Sequence, residues 1–432
     1  MLLKNKTILL TIFIIMNLAS AAQLFGIERF PRPQFESDYQ QPRMTSPDPR
    51  AATYEYIDIA ALLAALSVTT FLILKKRSRR GVFVMMLLSI AYFGFWRKGC
   101  VCSVGSIQNV AYALANPDYA IPISVIVFFI LPLVFSLFFG RTFCAGVCPL
   151  GAIQDVVILK PQRIPLWLNH MLRGIPFLYL GIAVLAAVTG SMFLICRFDP
   201  FIALYRMGGD WGMVSFGVAL LLVGVFIARP YCRFLCPYGV LLGWLSKFSK
   251  YHASITPDEC IQCKLCETSC PFEAIDVPVT EKPVESQTVA RRRLAIILIV
   301  MPVFMLLGGW IGSHLNKPLS RLHPTVRLAE QVNNENAGRI YETTIYSRTF
   351  RASGETMEQL MAEVRQIEHK YKIGGWWLGM FLATAAGMAL INLSRRRRQT
   401  IYETNHTHCL SCGRCFDYCP RHHALKGDLV QT

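Results

Sequence analysis

Charge is what this chain has least of. Asp, Glu, Lys and Arg make up 16% of its 432 residues, where a soluble globular domain carries about 25%. The shortage falls on acid, with 27 Asp and Glu against 44 Lys and Arg. So few charges argue against a fold surrounded by water, and 53% hydrophobic residues point to the bilayer as solvent. Several signatures are missing too. The chain has no Walker loop, no nucleophile elbow and no Rossmann fingerprint, which removes the sequence grounds for the chemistry each supports. No nucleic-acid-reading motif accompanies the net charge of +17, so nucleic acid is set aside as a partner. No general acid, base or substrate pocket is recognisable, so catalysis falls to a partner and the chain reads as a component of an oxidoreductase system.

What the chain has in quantity is apolar runs. Residues 1–22 read as a signal peptide: Lys4 and Lys6, the run TILLTIFIIMNL, then the small residues ASA. The alternative is an uncleaved first membrane helix. Either way residues 23–56, rich in Pro, Gln, Arg and Ser, form an extracytoplasmic linker. Seven apolar runs follow, near 57–74, 81–96, 120–139, 174–195, 213–228, 294–312 and 375–393. Several fall short of the roughly 20 residues that cross hydrocarbon, a deficit that tilt or local thinning absorbs. The basic clusters KKRSRR, KPQR, RRR and RRRR, at 75–80, 160–163, 291–293 and 395–398, all fall on one side if every run spans. The positive-inside rule makes that side the cytoplasm of a bacterial inner membrane.

The expected layout is a polytopic all-α membrane bundle of about seven spans, with lipid as its first partner, carrying a small cytoplasmic ferredoxin-like α+β domain built from two separate segments. Residues 57–245 form the membrane core and 246–293 the first half of that domain. Residues 294–393 form a two-helix hairpin with an extracytoplasmic loop at 313–374, and 394–432 form the second half. Within the loop, Met357, Leu360, Met361, Val364 and Ile367 recur at helical spacing, so 355–370 is read as an amphipathic helix.

The fifteen cysteines are grouped rather than scattered, which suits cluster or metal ligation better than a disulfide framework. CIQCKLCETSCP at 260–271 and CLSCGRCFDYCP at 409–420 both carry the C-x2-C-x2-C-x3-C-P run that holds [4Fe–4S] clusters. Three thiolates on one loop reach one cubane, and the fourth, before Pro, is directed to the other. Cross-ligation is therefore expected: Cys260, Cys263, Cys266 and Cys419 around one cluster, Cys409, Cys412, Cys415 and Cys270 around the second. The competing reading, two four-cysteine zinc sites, does not account for the repeated Cys-Pro ending.

A second repeat lies inside the membrane core. FGRTFCAGVCPLGAIQD at 139–155 parallels IARPYCRFLCPYGVLLG at 227–243. Cys144, Cys148, Cys232 and Cys236 can hold a further Fe–S or soft-metal centre, form a structural turn with buried thiols, or exchange thiols and disulfides. GCVCSVGSIQNV at 99–110 echoes CPLGAIQDV, one span away and so on the opposite side. Cys100, Cys102 and Cys196 there are either an outer centre lacking an identified fourth ligand, or structural and disulfide thiols. SGET at 353–356 loosely resembles a flavin-attachment element through Thr356, but Ser353 as a helix cap is the better reading, and flavin is not expected.

With both repeats in view, the chain resembles the NapH/NosR-type membrane ferredoxins, which combine membrane spans, two C-x-x-x-C-P pairs and two [4Fe–4S] motifs. The resemblance covers roughly 57–290 and 401–420. It implies membrane-bound electron transfer between the quinone pool or cytoplasmic donors and a periplasmic reductase system, with redox proteins as partners. Unlike the NosR type, no large extracytoplasmic flavin domain precedes the spans; unlike the shorter NapH type, a hairpin separates the cluster motifs. Two other readings stay open: an assembly factor reducing a metal or thiol, since cytochrome-oxidase assembly proteins share these motifs, and a membrane redox sensor.

Overall fold

Residues 52–99, 102–255, 260–278, 287–394 and 401–420 are described by a computed structural model. The signal segment 1–22, Cys100 and the basic cluster 395–398 lie outside the described residues. Helix α1, Ala52–Leu74, ends at the first basic cluster, and Ser78 caps α2 by accepting from the Gly81 amide. Helix α2, Arg79–Ser89, passes directly into a π-helical turn, Ile90–Trp96. The short α3, Ser103–Ala115, precedes α4, Ile123–Phe139. A π-turn at Phe143–Val147 leads to α5, Pro149–Val156. Then come α6, Leu166–Leu172, α7, Ile175–Val188, α8, Pro200–Arg206, and α9, Trp211–Gly224. Two short helices, α10 at Pro230–Phe234 and α11 at Pro237–Ser246, carry the second C-x-x-x-C-P repeat.

Five helical stretches are long and apolar enough to cross a membrane: Thr53–Leu74, Arg79–Trp96, Leu166–Val188, Arg291–His314 and Met357–Asn392. Helices α8 and α9 make a sixth only as a broken span, bent by 106°, and α4 is apolar but 17 residues long. All seven expected runs thus fall on helices, though two are not simple spans. Asp199 and Asp210 cap α8 and α9; the run read at 213–228 falls on α9, and α8 precedes it in the interval between two expected runs.

The ferredoxin segment opens with α12, Leu265–Ser269, and strand β1, Ile275–Asp276. Helix α13, Gln287–His314, leaves that segment, and α14, Pro324–Asn336, with α15, Ile345–Ala352, packs at its far end. The return is α16, Met357–Ser394, a single helix of 38 residues, about 57 Å long at 1.5 Å per residue. The amphipathic helix and the seventh run were read as separate elements; they are one. The boundary vanished because Leu360, Val364 and Ile367 bury against Val326, Ala329, Val332 and Phe350, and Gly374 and Gly375, which would weaken an isolated helix, pack against Leu185 and Gly312. Thr356, not Ser353, caps this helix: its hydroxyl accepts from the Gln359 amide, and Gln359 Oε1 accepts from the Thr356 amide. A reciprocal cap suffices to explain Thr356 without flavin.

Glycines bring α13 and α16 together. A Cβ on Gly308 or Gly312 would collide with backbone at Gly379 or Gly375, and the reverse holds. Small residues at four-residue spacing on both helices permit the backbone approach that drives association in lipid. The hairpin delivers strand β2, Glu403–Thr404, and α17, Arg414–Asp417, back to the first ferredoxin segment. Strands β1 and β2 pair antiparallel, Ile275 opposite Thr404 and Asp276 opposite Glu403. Gly379→Leu is expected to separate the two helices, at a cost of about 1–3 kcal/mol for the overpacking. Cysteines placed at Met301 and Gly387, which touch across the hairpin, should then crosslink much less than in a Gly379 background; equal crosslinking would refute the close-contact role.

Candidate iron–sulfur and thiol sites

The two ferredoxin loops adopt the same backbone. Gln262 and Lys264 in the first, and Ser411 and Gly413 in the second, occupy equivalent positions and all have positive φ, +54° and +62° against +53° and +77°. Each loop then enters a one-turn helix, α12 or α17. Alternating left-handed residues curl a short loop around a point, presenting amides and side chains inward.

The thiols fall into two crossed sets. Burial, then Cys263, Cys260 and Cys419, push the Cys266 thiol up to about 11. Burial, then Cys412 and Cys270, raise Cys409 to about 12. Cys415 is raised well above its usual value by burial and by Cys409, Cys412 and Cys270. Cys419 thus acts on Cys266 of the other loop, and Cys270 on Cys409 and Cys415, while Cys266 also acts on Cys415, so the two loops face each other closely. Thiols this crowded, with Cys266 and Cys412 buried and Cys263 exposed, ionise together most readily with a cationic group between them, which is what an iron–sulfur cubane supplies.

The C-x-x-x-C-P cysteines form a third set. Cys148 and Cys236 are the N-caps of α5 and α11, each with Pro at the first helical position, where a missing N–H costs nothing. Burial, then Cys232, Cys144 and Cys236, raise the Cys148 thiol well above its usual value. Cys144 packs in one buried cluster with Cys270, Cys409 and Cys412, so this set abuts the second ferredoxin set directly.

Two arginines occupy that junction. Arg141 and Arg229 each stand three residues before the first cysteine of a repeat, and both are buried, at 7% and 0% exposure. Arg141 donates to the Gly239 and Thr407 carbonyls at 3.1 Å each, bridging the membrane core and the second loop. Arg229 donates to the Cys144 carbonyl and lies over the Phe272 ring at 5.6 Å. Its charge is matched by Asp155, 3.1 Å away, which also pairs with Arg79 and, at 3.6 Å, with Arg414. Burial opposes the Asp155 charge, but Arg229, Arg79 and Arg414 outweigh it and hold the carboxyl well below the usual range. On the first loop, Glu273 accepts from the Ile164 amide, Asn169 and Arg233. The arginine before each cysteine pair was visible in the repeat; Asp155, Arg79 and Glu273 had no local signal.

Of the remaining cysteines, Cys102 and Cys196 are brought together: the Cys196 sulfur lies 3.1 Å from where a Cβ on Gly105 would stand, in the first turn of the helix that Cys102 caps. Cys102 and Cys148 line one small apolar cavity with Phe93 and Phe128. The two echoing cysteine turns, expected one span apart, are thus neighbours across this cavity.

Comparison with known proteins follows this geometry. A family described as "4Fe-4S binding domain" matches residues 121–166 and 210–255, which are the two C-x-x-x-C-P repeats. A second family of the same description matches 253–276, the first ferredoxin loop. The Escherichia coli protein YccM, named for electron transport, is 26% identical over 204 residues, 43% of this chain and 56% of YccM. Protein NirI of Paracoccus denitrificans is 35% identical over 153 residues, 32% of this chain and 22% of NirI. Regulatory protein NosR of Stutzerimonas stutzeri is 25% identical over 281 residues, 59% of this chain and 37% of NosR. The chain thus spans about half of YccM and a fifth to two fifths of the other two. No solved structure matches. Taken with the membrane helices and the two cysteine loops, these matches make the chain similar to membrane-bound ferredoxin-type proteins and give it 4Fe–4S binding domains on a multi-pass helical frame, with two [4Fe–4S] clusters.

Proposed function

We propose that this chain conducts single electrons between a cytoplasmic or quinol donor and an extracytoplasmic or membrane-embedded redox partner. The observation that carries the reading is that Cys144, Cys270 and Cys409 all pack against one buried apolar cluster containing Cys412, Leu410 and Phe272, which joins the ferredoxin domain to the membrane core. A bound [4Fe–4S] cluster takes up and gives up one electron. The chain's own residues do the rest. Cys260, Cys263, Cys266 and Cys419 hold one cluster, and Cys409, Cys412, Cys415 and Cys270 the other. Arg141 and Arg229 place fixed positive charge beside both neighbouring thiol sets, favouring their ionised forms. Burial at the junction excludes water and rigidifies it. The cytoplasmic placement of both loops rests on the basic clusters flanking the helices.

The word regulatory in the name of NosR supports a second reading, a sensor whose cluster state reports to a partner. Reconstitution separates the two. In vesicles with ferricyanide inside and a membrane-impermeant reductant outside, protein inserted with its loops outward should speed ferricyanide reduction at least tenfold over Cys263→Ser. A fully iron-loaded wild type no faster than empty vesicles would exclude conduction and leave the sensor.

A further inference from the structure

The geometry points to one more iron–sulfur site, held by Cys102, Cys196 and Asp199, across the Cys148 cavity from the ferredoxin domain. Its frame repeats that of the C-x-x-x-C-P set, element for element. Cys102 caps α3 as Cys148 caps α5. Three residues on, a Cβ at Gly105 would lie 3.1 Å from the Cys196 sulfur, and one at Gly151 would lie 3.6 Å from that of Cys232. Six residues on, Gln108 Oε1 accepts from the Ile195 and Cys196 amides at 2.7 and 3.3 Å, and Gln154 Oε1 accepts from the Tyr231 amide at 2.9 Å. Cys196-Arg-Phe and Cys232-Arg-Phe then lead to a buried helix cap followed by Pro: Asp199 before Pro200 in one case, Cys236 before Pro237 in the other. Asp199 is 3% exposed, as dry as the cysteine it replaces.

One difference points to a ligand. Gln154 Nε2 donates to the Cys232 sulfur at 3.3 Å and to the Leu150 carbonyl. Gln108 Nε2, in the equivalent place beside Cys196, is fully buried and has no partner. A buried amide donor left unpaired costs about 1–3 kcal/mol, so its retention implies an acceptor that the described residues do not supply, such as a cluster sulfide or a metal-bound thiolate. The C-x-x-x-C-P residues are those matched by a 4Fe-4S binding family; the same frame with two thiols and a carboxylate suits the same class of cofactor, since iron accepts carboxylate as well as thiolate donors. Phe93 and Phe128 line the cavity between the two sites, so the outer site extends the row of redox positions away from the ferredoxin domain.

The test uses the full chain purified without oxygen, with iron, acid-labile sulfide and EPR as readouts, so it does not depend on electron transfer being the function. The double variant Cys102→Ser, Cys196→Ser should lose about two to four irons per chain while both ferredoxin signals persist. Asp199→Cys, which restores the thiolate of the inner frame, should keep its iron and shift one EPR signal that neither Cys263→Ser nor Cys412→Ser removes. Unchanged iron and sulfide in the double variant would overturn the site. So would an Asp199→Cys spectrum that superimposes on wild type. If the double variant loses its ferredoxin signals through misfolding, the Asp199→Cys spectrum decides alone.

Discussion

Cys419→Ser is expected to extinguish the same EPR signal as Cys263→Ser, although Cys419 belongs to the other loop. The proposed crossed ligation requires it: Cys419 would complete the set of Cys260, Cys263 and Cys266, and Cys270 that of Cys409, Cys412 and Cys415, in keeping with the influence of Cys419 on Cys266 and of Cys270 on Cys415. Serine is a far weaker iron ligand than thiolate, so each variant should lose or convert one of two clusters, about four of eight irons if the cubane is lost whole. Cys270→Ser should then pair with Cys412→Ser and leave the first signal intact. Potentiometric EPR on the four variants gives the answer. If Cys419→Ser instead matches Cys412→Ser, each loop serves its own cluster and the crossed assignment is wrong. The strand pair β1–β2 gives a structural reason to expect the crossing, because it sets the loops face to face where each Cys-Pro can reach across.

This pairing also marks what the sequence could and could not convey. Cysteine spacing is a local covalent property, so both loops were legible from 260–271 and 409–420 alone. Apolar runs are likewise local, and every one of them proved helical. The pairing of Ile275 with Thr404 was not legible, since strands of two residues carry no periodicity and the partners lie on either side of a membrane hairpin. Nor was the join at 371–375, where Gly374 and Gly375 weaken a helix but their close packing against Leu185 and Gly312, and the Tyr371 hydroxyl 2.6 Å from that of Ser191, hold it helical. The outer cysteines were read as an echo of the inner ones, but their proximity to Cys148 across a shared cavity was not legible, because counting spans says nothing of how short helices pack between them. Asp199 was missed for a related reason: with Asp where the repeat has Leu-Cys, the match breaks by one residue at the ligand itself.

Asp155→Asn is expected to loosen the second ferredoxin segment from the membrane core. Asp155 has no exposed side-chain surface and is shared by Arg229, also fully buried, by Arg79 and by Arg414 of α17. Arg79 in turn donates to the Cys412 carbonyl at 3.0 Å, so the carboxylate orders the loop both through Arg414 and through Arg79. Removing one partner of a buried ion pair costs about 3–5 kcal/mol, chiefly by stranding the charge left behind. Here three guanidinium groups lose their common counterion. Because its folded-state carboxyl titrates well below the unfolded value, the stabilisation is present above roughly pH 4 and fades only as pH falls further. Wild-type docking should therefore be flat between about pH 5 and 8, and the variant's defect equally flat. Hydrogen exchange of the 401–420 amides should rise at least a hundredfold in the variant, an amount that corresponds to about 2.7 kcal/mol of opening free energy. Adding Arg229→Met should recover part of the loss by withdrawing the stranded charge. Exchange that stays at the wild-type level in Asp155→Asn would mean that the β1–β2 pair, the Arg141 bridge to Thr407 and the Ser246 bond to His406 hold the segment without it.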